Sequence, residues 1–135
     1  MYLIGFPLLI IPFAIYNMIA FLMPDVKWTS TLWTVSMISG ARWEVTAEDM
    51  LLTLAILLLA VEVMKSARGG HRVLIDHVLS LLLFIGMLVE FLLVARVATS
   101  TFFILMITSV VDVVAGFTIT ARTARRDIEI ERVGA

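Results

Sequence analysis

Cysteine is absent from this chain of 135 residues, which removes disulfide relays, Cys-ligated metals and thiol nucleophiles from its chemistry. Charge is scarce too: 16% of residues are Asp, Glu, Lys or Arg, where soluble domains carry about 25%. The opening Met1-Tyr2-Leu3-Ile4 holds no Lys or Arg, so the basic leader of a secretory signal peptide is missing. There are only two histidines, His71 and His77. A metal site would need more ligands than Asp76 and His77 supply, and no metal or cofactor is expected. Neither a Gly-rich phosphate loop nor a G-x-S-x-G nucleophile turn occurs, and nothing points to nucleic acid or to an enzyme.

What the chain has instead is apolar length. Hydrophobic residues make up 61% of it, against about 45–50% in soluble domains, and they fall into four runs with short polar breaks. Crossing the hydrocarbon core of a bilayer takes roughly 20 apolar helical residues. The spans are placed at about 2–23, 47–66, 73–97 and 100–121. The expected fold is all-α: one membrane domain, a bundle of four transmembrane helices, with an outer loop at 24–46 and a tail at 122–135. Pro7 and Pro12 lie near the start of the first span, where a kink is expected at Pro12.

Lys and Arg set the orientation. The break after the second run carries Lys65, Arg68 and Arg72, and the tail carries Arg122, Arg125, Arg126 and Arg132. In the break after the first run, Lys27 and Arg42 are outweighed by Asp25, Glu44, Glu48 and Asp49. Both termini are therefore expected in the cytoplasm of a bacterial plasma (inner) membrane. Trp28, Trp33 and Trp43 all fall in the outer loop, where indole rings suit the headgroup layer as anchors. Within it, Thr31 to Val45 alternates partly, with Ser39-Gly40 as a hairpin turn; a surface helix fits nearly as well. Thr46 is placed as the N-cap of the second span, with Glu48 and Asp49 in its first turn.

Charges inside lipid cost roughly 2.5–3.5 kcal/mol near mid-span, so intramembrane polar residues are candidate sites. Asp112 is the deepest along the fourth run, with Glu90 and Asn17 in the outer halves of the third and first. Asp76, Ser80, Leu83, Met87 and Glu90 share a helical stripe, and so do Thr101, Thr108, Asp112 and Gly116, flanked by Ser109 and Ala115. Both stripes should face protein. Asn17 is expected to meet Glu90, and Thr108 or Ser109 to satisfy Asp112 within its own helix. Glu62, Lys65, Arg68, Arg72, Asp76 and His77 are placed at the cytoplasmic interface, with Lys65 and Arg72 neutralising the acids and snorkelling towards water. Glu90 and Asp112 differ in depth by about 9 Å at 1.5 Å rise per residue, too far for direct proton transfer.

The expected role is a non-enzymatic accessory, assembly or scaffold subunit of a membrane complex. Its partners would be the bilayer and a membrane protein, or a second copy engaged through the third and fourth helices. The alternative is an oligomeric proton-coupled transporter or channel using Asp112 and Glu90.

Overall fold

The computed structural model describes residues 7–67 and 71–134, with side chains at all of these except 71–73, 120, 123–124, 126–127 and 133. Its elements in chain order are α1 (Ile10–Leu22), β1 (Thr31–Ser36), β2 (Arg42–Thr46), α2 (Ala47–Ser66), α3 (His71–Leu93), one 3-10 turn (Ala95–Val97) and α4 (Ser100–Gly134). Helix dominates, with one small β-hairpin added to it. Helix α4 packs against both α2 and α3, and α1 lies mainly on α2.

Among the described residues, two stretches are long and apolar enough to cross a membrane, Leu74–Leu93 in α3 and Ser100–Ile119 in α4. Helix α1 is apolar but has only 13 residues, beginning at Ile10 after a turn at residues 8 and 9. The expected span began at residue 2, and residues 1–6 lie outside the described part. Helix α2 has 20 residues, but Glu48, Asp49, Glu62 and Lys65 interrupt its apolar character.

Local chemistry explains most of the boundaries. Thr46 caps α2: its hydroxyl accepts from Asp49 N–H at 3.2 Å while Asp49 Oδ2 accepts from Thr46 N–H at 3.0 Å. This reciprocal box satisfies two amides that the helix itself cannot reach. A third such amide, Glu48 N–H, donates to Trp28 O at 3.0 Å. Thr99 caps α4 through a single side-chain bond, its hydroxyl accepting from Phe102 N–H at 3.2 Å. Pro12 does not kink α1. It falls in the first turn, where a missing N–H leaves no helical bond unmade. Helix α3 stops at Leu93 rather than near Val97, because Val94 turns extended. Helix α4 runs on through the expected tail to Gly134.

The 24–46 segment forms an antiparallel hairpin, with Trp33 opposite Val45 and Val35 opposite Trp43. Side chains alternate across a strand, so Trp33, Val35, Trp43 and Val45 share one face and Thr34, Ser36, Arg42 and Glu44 the other. The turn needs Gly40, whose φ of 90° is costly for any residue with a Cβ.

The apolar core lies toward the hairpin end. Phe102 is fully buried at its centre, 5.1 Å from Tyr16, 6.2 Å from Phe13 and 6.0 Å from Phe91 between ring centroids. Leu51, Ala55, Met87, Val97, Leu105 and Met106 complete it. Towards the opposite end, the buried side chains turn polar.

Candidate functional site

Helix α2 brings Glu62, Lys65 and Ser66 onto one face through their three- and four-residue spacing. That face meets α3 at Asp76 and Ser80, and α4 at Asp112. All six are at least nine-tenths buried. Lys65 Nζ stands 3.2 Å from Glu62 Oε1 and 3.2 Å from Asp76 Oδ2, linking α2 to α3. Glu62 Oε1 also accepts from the backbone N–H of Leu8, just before α1. A carboxylate suits a helix N-terminus, where amides point outward and the peptide dipoles favour negative charge. The Asp112 carboxyl lies within interaction range of the Ser80 hydroxyl and within electrostatic range of Asp76 and Lys65. One polar network thus reaches all four helices.

This changes the place of the Glu62–Asp76 group. It was expected to snorkel at the membrane surface, but Lys65 turns inward and is only 8% exposed. The side chains of Arg68 and Arg72, expected to share in that pairing, lie outside the described residues. His77 is half-buried on the rim of the network, its ring 5.9 Å from Phe117. A Cβ on Gly116 would sit 3.2 Å from His77 Nδ1 and 3.4 Å from Ser66 Oγ. Gly116 thus lies where α4 faces both His77 of α3 and Ser66 of α2.

Asp112 also finds a different partner from the expected one. Thr108 donates to Ile104 O at 2.8 Å, a bond within its own helix. Ser109 Oγ is buried without a partner among the described residues. The hydroxyl that serves Asp112 comes from α3.

Nearer the hairpin end, Asn17 Nδ2 donates to Phe13 O at 3.1 Å and to Glu90 Oε2 at 3.4 Å. The second contact is the expected amide–carboxyl pairing, though long for an N–H···O bond. A layer further on, Tyr16 OH and Thr99 Oγ1 are 2.6 Å apart, and the Tyr16 ring stacks on Trp28 with centroids 4.8 Å apart. Sequence reasoning missed the Tyr16–Thr99 pair, although a hydroxyl in an apolar run signals a need for a partner. Trp28 is half-buried by the stack, whereas Trp33 and Trp43 stay about half exposed.

Glu90 and Asp112 therefore belong to separate networks. Met87, Phe102, Leu105 and Met106 of the same helices are buried in the apolar core. Among the described residues, no three His, Asp or Glu side chains stand close enough together to hold a metal ion. Comparison with protein-family models, curated proteins and solved structures finds no match.

Proposed function

We propose that the chain is a four-span integral membrane protein of a bacterial plasma membrane, with both termini cytoplasmic. Its role is that of a non-enzymatic accessory, assembly or scaffold subunit. The outward faces of the helices support the membrane reading. Large apolar side chains such as Leu57, Ile75, Leu82, Val89, Ile107 and Val114 are 40% exposed or more, a surface that lipid would cover. Burial of Glu62 and Lys65 leaves the outward face of α2 apolar over its second half, which makes α2 fit to cross.

One observation carries the choice of role. Among the described residues, the Glu62–Lys65–Asp76 group and the Asn17–Glu90 contact share no member, and Met87, Phe102, Leu105 and Met106 of the same bundle are buried in an apolar core. The network at the end opposite the hairpin ties α1 to α4 together, which is work for a structural component.

The lack of native cysteine makes topology directly testable. Under this proposal Ser39→Cys reacts with a membrane-impermeant maleimide in intact cells, and Arg125→Cys reacts only after permeabilisation. Labelling of both from one side would refute four spans. The role is tested by mild solubilisation from native membranes, followed by mass determination of the intact particle. Stoichiometric recovery with another membrane protein is expected. A lone homo-oligomer whose ion flux is lost in Asp112→Asn would favour the transporter alternative instead.

A further inference from the structure

Two hollows adjoin at Val26 and Trp28, at the hairpin end of the bundle, and both residues line each of them. The larger is a groove of about 480 Å³ between α1, the base of the hairpin and the start of α2. Ile15 and Ile19, four apart, present one face of α1 to it, and Leu51 and Leu54, three apart, one face of α2. Leu32 and Met50, about half exposed, also line it. Apart from the Trp28 indole, every lining side chain is aliphatic or a thioether. A concave apolar site of this size falls within the roughly 300–1,000 Å³ of small-molecule sites.

The smaller hollow, about 240 Å³, has a charge in its wall. Ala20, Met23 and Pro24 at the end of α1 face Arg96 and Thr99 of the α3–α4 connection across it. Arg96 Nη1 donates to Ala20 O at 3.4 Å, and its guanidinium carbon lies 5.8 Å from the centroid of the Phe21 ring. The Ala20 carbonyl is one of the last four of α1, which lack helical donors, so these contacts hold Arg96 over the helix end. They use little of a group with five N–H donors. Among the described residues the ion pairs are those of Lys65, and neither Asp25 nor Glu48, the acids next to lining residues, pairs with Arg96. The Thr99 hydroxyl is already engaged with Tyr16 and the Phe102 N–H. The guanidinium is thus the charged group that the cleft offers to a guest.

We propose that the two hollows together bind one anionic phospholipid, with an acyl chain in the groove between α1 and α2 and the phosphate at Arg96. The inference rests on the membrane reading, which puts the groove in the outer half of the bilayer. A guest there must be apolar along the groove and negative at the cleft, and an anionic lipid is both. Trp28 stands where the two meet, at the headgroup level that an indole ring favours. A free anion would leave the groove empty, and an uncharged chain would leave the guanidinium without a counter-charge.

The test is native mass spectrometry of the full chain in mild detergent, with equal amounts of phosphatidylglycerol and phosphatidylethanolamine. One lipid per chain should be retained, with phosphatidylglycerol preferred. Arg96→Gln keeps an N–H for Ala20 O but loses the charge, and should cut that preference roughly fivefold, about what one base is worth beside anionic lipid. Leu54→Trp fills the groove and should weaken retention of both lipids. Arg42→Gln, on the exposed face of the hairpin, should change neither. Circular dichroism and a monodisperse elution profile establish that each variant is folded. An unchanged preference in Arg96→Gln, or an equal loss in Arg42→Gln, would overturn the site. So would a lipid-free dimer, by showing a second copy in the groove. Cysteine labelling that refutes four spans would remove the membrane reading and the site with it. Labelling as expected, with no lipid retained, would remove the site alone.

Discussion

Lys65 Nζ lies 3.2 Å from Asp76 Oδ2, and this contact bridges α2 and α3 inside the protein rather than at its surface. A pair of this kind, enclosed on all sides, behaves differently from a solvent-exposed ion pair. Its removal leaves charge behind where water cannot reach it.

Lys65→Met should therefore be among the most damaging single changes in the chain. It strands Glu62 and Asp76 together, and breaking a buried pair costs about 3–5 kcal/mol. Thermal unfolding in detergent should register the loss, and the Lys65→Met/Asp76→Asn double variant should recover part of it. A double variant no better than the single would mean that the two side chains are not energetically coupled.

Gly116 tests the three-helix contact by size. Gly116→Ala places a methyl 3.2 Å from the His77 ring, which a side chain can relieve by a small shift, so the effect should be slight. Gly116→Leu cannot be relieved in that way, and overpacking of this sort costs about 1–3 kcal/mol. The expected result is a graded fall in unfolding midpoint from Ala to Leu.

Thr46→Ala removes the hydroxyl half of the capping box at the start of α2. The expected cost is about 1 kcal/mol, while Thr46→Ser should be close to neutral. Both are read from the unfolding midpoint.

Tyr16→Phe keeps the ring and deletes the hydroxyl that meets Thr99. The expected loss is about 1 kcal/mol, with the Trp28 stack preserved. Tyr16→Ala removes both and should change the fluorescence of Trp28, so comparing the two variants separates hydrogen bond from stacking.

Much of this was readable in residue order, since it depends on near neighbours. Thr46 and Asp49, three apart, announce the cap of α2. The spacing from Asp76 to Glu90 and from Thr101 to Gly116 placed both polar stripes against protein, and Asp76, Ser80, Met87, Thr101, Thr108 and Asp112 are buried as that requires. Partial alternation in Thr31 to Val45 and the Gly40 turn allowed a hairpin without deciding against a surface helix. The strand register did decide it, because pairing β1 with β2 puts both tryptophans and both valines on one face. The Asn17–Glu90 contact was foreseeable from depth alone, because both residues sit at matching distances along their runs.

The groups that meet around Lys65 were not readable in this way. Depth along separate runs puts Asp112 at mid-membrane and Glu62, Lys65 and Asp76 at the surface, two levels that residue order gives no reason to join. Whether Lys65 snorkels outward or turns inward is a rotation about the helix axis, and the neighbours of α2 fix that rotation. Likewise, which hydroxyl serves Asp112 depends on the level at which α3 packs against α4, and that packing selects Ser80 over Thr108. The sequence by itself determined the apolar helices, their caps and the faces they bury, because periodicity and capping act within one or two turns. Tertiary structure alone brought Glu62 and Asp76 to one ammonium, with Asp112 near them, because burial and charge pairing act across helices far apart in the chain.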